Sequence, residues 1–573
     1  MKVLKKLNEI VANYFLLFKI VKISKTKYFC LLILTLLMAI LDAIGIGVLL
    51  PIAEYILNYN DGAIPNTSSW KVLKMVFSYL GLEPTIFLIV SLSVSIIILR
   101  QVIVYVRAFL LQKLRFKTVK ALRRILFNRF LTRDLSYIKG YSTGAYNNLI
   151  NLEVDNVGKS IILPIENLSG LILTISYLLL MAVISLEATI IVFLIVFLTG
   201  LFLKKIIIFI QSTAKKIIKI NNSFSQNLVD RLLAIKLIRV NNTLNKEEKT
   251  SNLILNDQFE NNLKLAKIQI FTNSTLEPFL LIIAIPIIVF SIKVGFSLAK
   301  LGVFVILLAR LIPVFKVTIT SIQTQFLFLV SIKNMLNLLD FMKTRKEIRA
   351  GSKVCPKKIE NIVFKKVSFK YEDSESWVLN KFSCKIVGGV INAVVGKSGT
   401  GKTTLIGMIT RLMEPQIGII NINKNNIKEI DSSSLRNQIA YIDQKASFIR
   451  GNIMDHIGYG NVKLSQKKCI EAAKLANAHE FICKLPNKYN NSIGEAGAGL
   501  SGGQLQRIDI ARGIASEKQL MILDEPTSNL DIKNTKDIFL TLKKINRVKK
   551  ITIIVVSHDK SILKYCNNII NLG

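Results

Sequence analysis

Up to Gln323 the chain alternates long apolar runs with polar stretches rich in lysine and arginine. A run of about 20 apolar residues crosses a bilayer as a helix. Six runs are expected to do so: residues 28–57, a second starting at Ile86 and carrying Arg100 and Arg107, then 161–180, 184–203, 276–294 and 301–323. A tight outer turn around Glu187 joins the third and fourth. Ahead of them, in residues 1–27, Tyr14 to Phe18 are followed by Lys19, Lys22, Lys25 and Lys27. That pattern reads as an amphipathic helix lying on the inner membrane face. The stretch 58–84 is polar and poor in lysine, which places it outside. Within it Trp70, Leu73, Val76, Phe77 and Leu80 fall along one helical stripe. This short helix is either a lid packed on the spans or a contact for a lipid tail.

The connections after the second and fourth runs are long, basic and helical in pattern, with turn regions at 135–146 and 227–236. Beyond a charged linker at 341–358, the period changes to short strands and turns. The expected division is therefore an N-terminal helix (1–27), an all-α membrane domain (28–340), the linker and an α/β domain (359–573). An apolar fraction of 51% and a mean hydropathy of +0.44 fit a membrane protein better than a soluble one. The net charge of +39 would suit nucleic acid. Its cations cluster between hydrophobic runs, as they do on cytosolic loops, so a bilayer and not nucleic acid is the expected partner. The six cysteines show no metal-like spacing and read as free thiols. Abundant Lys, Asn and Ile suggest an AT-rich, bacterial genome.

Several charges fall inside apolar runs. Asp42 either makes a helix–helix hydrogen bond near Gly45 and Gly47 or serves a substrate or cation. Arg100 and Arg107 share a helical face. Arg310 and Lys316 flank Pro313. The four cations are expected to line an electropositive inner cavity; the alternative is local pairing at the Pro kink.

In the second half, strand-like VINAVV leads into GKSGTGKTT, residues 396–404. Gly396, Lys397, Ser398, Gly399, Thr400, Gly401, Lys402, Thr403 and Thr404 form a P-loop, whose backbone N–H groups and following helix cradle phosphates. Lys402 reaches the terminal phosphates and Thr403 can ligate Mg2+. Further on, LSGGQ precedes a helix and an apolar strand ending in Asp524 and Glu525. An acid pair at a strand's C-terminal end supplies a metal ligand and a general base.

Taken together these motifs resemble the ATP-binding-cassette (ABC) transporters, and specifically exporter-type half-transporters. The resemblance implies ATP and Mg2+ as cofactors. It makes Tyr371 the residue stacked on adenine and Gln444, in AYIDQ, the γ-phosphate sensor and a further metal contact. Glu495 and Gly497 lead into the signature loop of Ser501, Gly502, Gly503 and Gln504, which meets ATP held by the opposite subunit. Asp524 holds Mg2+ through water, Glu525 is the general base, Asp531 lies in the D-loop and His558, in VVSHD, contacts the γ-phosphate. The hinges at 135–146 and 227–236 correspond to coupling helices. A second half-transporter is required, most simply another copy of this chain. Asp443, Asp509 and Gly513 depart from the family, where proline or small apolar residues are usual; little effect on catalysis is expected. LDAIGIGVLLP, the outer helix and RLIP are similar to lipid-linked oligosaccharide flippases, which implies an amphipathic, polyprenyl-diphosphate substrate at a bacterial inner membrane. The N-terminus and ATPase domain would then be cytosolic. Lipid, drug or peptide export, or an ATP-gated channel or sensor, are the alternatives.

Overall fold

The computed structural model describes residues 2–57, 68–79, 81, 85–132, 142–293, 298–344, 351–371, 374–397, 399–444, 448–449, 451–461, 464–493, 499–526 and 532–572. The chain forms two compact units, Met1–Lys346 and Glu347–Gly573.

The first unit is helical. Helix α1 (Lys2–Val21) precedes α2 (Lys25–Gly47) and α3 (Leu49–Leu57), which together make the first apolar run. The expected single span is interrupted at Val48. Proline clashes with the carbonyl four residues before it, and Pro51 places that conflict at Gly47. Helix α4 (Ser68–Tyr79) is the predicted outer helix. Trp70 and Phe77 are buried against Ile89, with Ile52 and Tyr55 beside them, so this face packs on the spans as a lid. The side chains of Leu73 and Val76, and all of Leu80, lie outside the described residues.

Helix α5 (Ile86–Leu131) carries the second apolar run far past membrane length. Across its apolar stretch only 11% of residues are buried, and Ile97, Ile98, Val102 and Tyr105 are exposed, as lipid-facing positions should be. Most of the first turn region lies outside the described residues. The chain resumes at α6 (Thr143–Asn148), where Ser142 Oγ caps the Ala145 amide at 3.3 Å. A π-turn (Leu149–Glu153) then leads into α7 (Val154–Ile184).

Helix α8 (Leu186–Leu233) continues through most of the second expected turn. The break comes at Ala234, and after α9 (Ile235–Val240) the chain reverses at Asn241–Thr243. The hinge predicted at 227–236 therefore starts inside a helix. Arg231 bonds back to Asn227 and pairs with Glu247 at 2.8 Å, holding the last turn of α8. Asn242 takes φ +53°, a left-handed conformation that asparagine tolerates. Helices α10 (Leu244–Lys293) and α11 (Leu298–Thr344) complete the unit. Among the described residues four helical stretches are long and apolar enough to cross a membrane, with Leu186–Gly200 a shorter apolar helix.

Helix α7 is the hub. Its buried stripe of Val154, Val157, Ile161 and Ile165 packs with Leu122 and Leu126 of α5, and with Ile332, Met335 and Leu339 of α11. Gly170 is what lets α7 approach α11: a Cβ there would lie 1.9 Å from Thr318 Oγ1. Small residues at such crossings replace hydrophobic drive with close contact.

In the second unit, β1 (Asn361–Phe369), β2 (Leu379–Val387), β4 (Ile417–Ile422) and β5 (Asn425–Asn426) form an antiparallel sheet of order β2-β1-β4-β5. The main sheet has order β11-β3-β10-β9-β6 and is parallel throughout. Its strands are β3 (Ile391–Val395), β6 (Ile439–Ile442), β9 (Leu520–Asp524), β10 (Thr552–Ser557) and β11 (Asn568–Asn571). Every residue of β3, β9 and β10 is buried, the unbroken apolar pattern of a strand covered on both faces. Cys355 and Ile359 belong to this unit's core, and Lys353 bridges to Ile430, so the segment from Gly351 is part of the fold.

Candidate functional site

Four adjacent strands of the parallel sheet end on the same edge, and each delivers predicted chemistry there. After β3 the chain enters the P-loop; after β9 come Asp524 and Glu525; after β10, His558; after β6, Asp443 and Gln444. This is the crevice outside the strands' carboxyl ends where open α/β sheets bind ligands.

Gly399 and Gly401 take φ +85° and +93°, and a Cβ on Gly401 would press on Val378 and Leu379 at 3.0 and 3.1 Å. The loop can therefore turn tightly into helix α12 (Lys402–Ile409), whose N-terminal amides remain free for an anion. Lys402 is buried, and its ammonium donates to the carbonyls of Gly396 at 2.8 Å and Lys397 at 2.9 Å. Thr403 is exposed at the helix start, whereas Thr404 is buried and bonds the Tyr371 hydroxyl at 3.0 Å. Tyr371 stands edge-on to Phe369, 39% exposed, with a ring open to a planar partner. Ser398 lies outside the described residues.

Glu525 has φ +45°, a conformation costing a non-glycine residue roughly 1–2 kcal/mol. Its amide donates to Val556 O at 2.9 Å, fixing the turn after β9. Such strain gathers at functional sites. Gln444 Nε2 donates to Glu525 Oε2 at 2.8 Å, His558 Nδ1 lies 3.5 Å from Oε1, and Lys402 Nζ lies 3.9 Å from it. Lys402, Gln444 and His558 thus converge on the Glu525 carboxylate.

Burial pushes the Asp524 carboxyl up to about 6, helped by the negative charges of Asp443 and Glu525. The Tyr441 hydroxyl, 3.4 Å from Asp524 Oδ2, and the nearby Lys402 oppose this. Tyr441's own proton is held more tightly than usual, by burial and then by Asp443 and Asp524. A buried acid with surplus negative charge beside it suits a hard divalent cation, whose preferred ligands are oxygens. Tyr441 went unread in the sequence; its position in β6, three residues before Gln444, is the signal that places it.

The signature loop is also built as a helix start. Ser501 caps α17 (Gly502–Ala515): Gln504 N donates to Ser501 Oγ at 3.3 Å, and Ser501 N to Gln504 Oε1 at 2.9 Å. This reciprocal capping box leaves Gly502 and Gly503 at an exposed helix N-terminus. Glu495, Gly497 and Asp531 lie outside the described residues.

Asp509 on α17 does more than the sequence suggested. It is fully buried, and its Oδ1 meets His456 Nε2 of α14 (Ile453–Ile457) at 3.0 Å and Arg512 Nε at 2.7 Å. Burial pushes its carboxyl up, but those two partners outweigh it and hold the group below the usual carboxylate range. Arg512 in turn donates to Tyr441 O at 2.9 Å, tying the signature helix to the strand that carries Gln444.

In the helical unit the five charges predicted for substrate are divided. Asp42 is buried; Arg100 Nε lies 2.5 Å from its Oδ1, and the Tyr177 hydroxyl donates to its Oδ2. Arg310 lies within electrostatic reach of the same tyrosine. Arg107 instead donates to Thr35 Oγ1 at 2.9 Å and feels Glu166. Lys316 is half-buried. The expected bare electropositive cavity is thus largely compensated, because a cation at this depth is costly without a counter-charge. Tyr177 is a partner the sequence did not single out.

Two family profiles match this chain: the ABC transporter transmembrane region at residues 29–314 and the ABC transporter family at 379–528. Together they take in well over half of it, and the chain belongs to the ABC transporters, with its transmembrane and ATPase regions fused in one polypeptide. Over 232 residues, 40% of its length, it is 36% identical to the alpha-hemolysin translocation ATP-binding protein HlyB of Escherichia coli O157:H7, covering 32% of that protein. Over 242 residues, 42% of its length, it is 36% identical to the ATP-dependent lipid A-core flippase of Desulfotalea psychrophila, covering 41% of it. Those matches span less than half of either relative. A bacterial Atm1-family ABC exporter with ATP bound shares the fold, with a TM-score of 0.76 and 20% identity over 96% of this chain and 94% of that one.

Proposed function

We propose that the chain is one half of an ATP-driven exporter or flippase that moves an amphipathic, lipid-linked substrate out of the cytosolic leaflet. The observation that carries this reading is the convergence of Lys402, Gln444 and His558 on Glu525 at one sheet edge. In this reading the P-loop amides and Lys402 take the phosphates in place of the Gly396 and Lys397 carbonyls. Gln444 and His558 orient Glu525, which accepts the proton of the attacking water. Mg2+ would be held by Thr403, Asp524 and Gln444, and would neutralise charge on the β- and γ-phosphates. Tyr371 would stack on the base.

Ser501 and Gln504 cap this helix start, and Gly502 and Gly503 present its N-terminus outward. That supports a dimer in which each signature loop, with Asp531, completes the partner's nucleotide site. The membrane domain would span a bacterial inner membrane six times, with the N-terminus and ATPase domain cytosolic. A polyprenyl-diphosphate oligosaccharide is the substrate we favour, on the resemblance of spans one and six to flippases of such lipids.

The test is ATP hydrolysis by the protein in lipid nanodiscs, with and without a polyprenyl-diphosphate oligosaccharide, beside Glu525→Gln. Turnover that is lost in the variant and raised by the lipid supports a flippase. Turnover lost in the variant but indifferent to the lipid retains the ATPase and rejects this substrate.

A further inference from the structure

Strand β6 stands at the edge of the parallel sheet, paired with β9. Strands β3, β9 and β10 each lie between two neighbours, whereas the end of β6, which leads to Gln444, needs its second restraint from side chains. Helix α17 supplies it. Asp509, Arg512 and Gly513 are spaced i, i+3 and i+4, so they share one face of that helix. Gly513 sets how closely this face comes to β6: a Cβ there would lie 3.1 Å from Ile442 Cδ1 and 3.2 Å from Met521 Cε. Arg512 then spans the contact with a two-point hold. Its Nε donates to Asp509 Oδ1 at 2.7 Å, and its Nη2 donates to Tyr441 O at 2.9 Å. Asp509 Oδ1 is fixed in turn by His456 Nε2 at 3.0 Å. Past Tyr441, Asp443 Oδ1 accepts the Gln444 amide at 2.8 Å and holds the turn that follows the strand.

Asp443, Asp509 and Gly513, the three residues that depart from the family pattern, therefore fall together at one helix–strand contact. What that contact leads to is the reacting site: Gln444 Nε2 donates to Glu525 Oε2 at 2.8 Å, and the Tyr441 hydroxyl to Asp524 Oδ2 at 3.4 Å. We propose that Asp509 and Arg512 are positioning residues for ATP hydrolysis. Asp509 aims the Arg512 fork at Tyr441 O, and this sets the end of β6 so that Gln444 and the Tyr441 hydroxyl meet the Glu525 and Asp524 carboxylates. Both act through the strand and stand outside the phosphate loop. A guanidinium suits the task because its donors lie in a fixed plane, whereas an ammonium is a point charge. Misplacing groups at a reacting centre by an ångström costs about a hundredfold in rate. A restraint of this kind is thus felt in kcat and not in the affinity for ATP. The inference rests on the hydrolytic reading of Glu525 and deepens it.

The test measures kcat and KM of ATP hydrolysis by the full chain in lipid nanodiscs, with binding of a non-hydrolysable ATP analogue showing that each variant keeps its nucleotide site. Arg512→Gln is expected to lower kcat at least about tenfold while KM changes less than about twofold. Arg512→Lys keeps the charge but cannot make both bonds, so it should lose at least about threefold. It is also the milder change and carries the test if Arg512→Gln fails to bind the analogue; wild-type turnover in it overturns the two-point hold. Asp509→Asn keeps an oxygen for Arg512 Nε and should stay within about threefold of wild type; a loss equal to that of Arg512→Gln overturns the part given to Asp509. A cycle with Gln444→Ala, run with protein in excess of ATP so that slow variants are read, separates positioning from general structure. With Gln444 gone, Arg512→Gln should cost less than about threefold. An undiminished tenfold loss in that background overturns the proposal. Glu525→Gln distinguishes the two readings: turnover that needs Glu525 but ignores Arg512 rejects the positioning residues alone, and turnover that ignores Glu525 rejects the hydrolytic reading beneath them as well.

Discussion

Asp509 stands where small apolar residues are usual in the family, yet replacing it with alanine should be damaging here. Asp509→Ala removes a carboxylate that is 2% exposed and leaves two former partners. They are not equivalent. The Arg512 side chain is 22% exposed and can turn to water, whereas that of His456 is 6% exposed and cannot. Removing one member of a buried charged group costs about 3–5 kcal/mol, and the escape of Arg512 favours the lower end, about 3 kcal/mol. For a unit of this size that lowers the midpoint of thermal unfolding by roughly 6–12 °C. Pairing the change with His456→Leu should recover at least half of the loss, because the leucine needs no partner and keeps the contact with Phe448, whose ring lies 4.4 Å from the imidazole. The folded carboxyl titrates below its unfolded value of about 3.9, so its stabilisation is present above that pH and fades as pH falls through the lowered one. The gap between wild type and Asp509→Ala should thus be flat from pH 8 to about 5 and close in stronger acid. Hydrogen exchange of the α17 amides in the full chain, with thermal unfolding across that pH range, measures both. A loss under about 1 kcal/mol, or no rescue by the second change, would refute the reasoning.

Glu525→Gln should retain ATP binding while hydrolysis falls by a factor of at least about 100, the contribution of a positioned general base; near-normal turnover would remove Glu525 from that role. Because protonated Asp524 cannot hold Mg2+, hydrolysis should be present above about pH 6 and lost as pH falls through it. Asp443→Asn removes one of the two charges that raise this group, so a pH–rate profile should show the acid limb moving down; an unmoved limb counts against Asp443. Ser501→Ala should cost about 1 kcal/mol of local stability at the start of α17, read by faster amide exchange there. Gly170→Val would drive a side chain into Thr318 and cost about 1–3 kcal/mol, with partial relief from Thr318→Gly, seen in the yield of folded protein in detergent.

The nucleotide half was legible because its chemistry is local. Gly399 and Gly401 announce a phosphate loop, an apolar strand announces its own burial, and the acid pair after Leu523 marks a strand end. What stayed hidden depends on neighbours distant in sequence. Asp509 meets His456 from 53 positions away, and Tyr441 reaches Asp524 across 83. Neither pairing has a periodicity, so each residue alone reads as an anomaly or as nothing. The helix boundaries failed for a related reason: a local bond from Arg231 and its pairing with Glu247, 16 positions away, keep residues 227–233 helical.

The charges of the helical unit follow one rule that the sequence states only in part. Four cations in or near apolar runs suggested a bare positive lumen. In a medium of low dielectric such a surface is unstable, and α2 and α7 answer it with Asp42, Thr35 and Glu166 at the levels of Arg100 and Arg107. Past the end of the apolar stretch the constraint relaxes. Water screens Lys215 and Lys219, so they need no internal acid, and unmatched positive charge can be kept there at small cost. Depth along the helix therefore separates the two groups: the matched charges join helices to one another, while Lys215 and Lys219 face solvent.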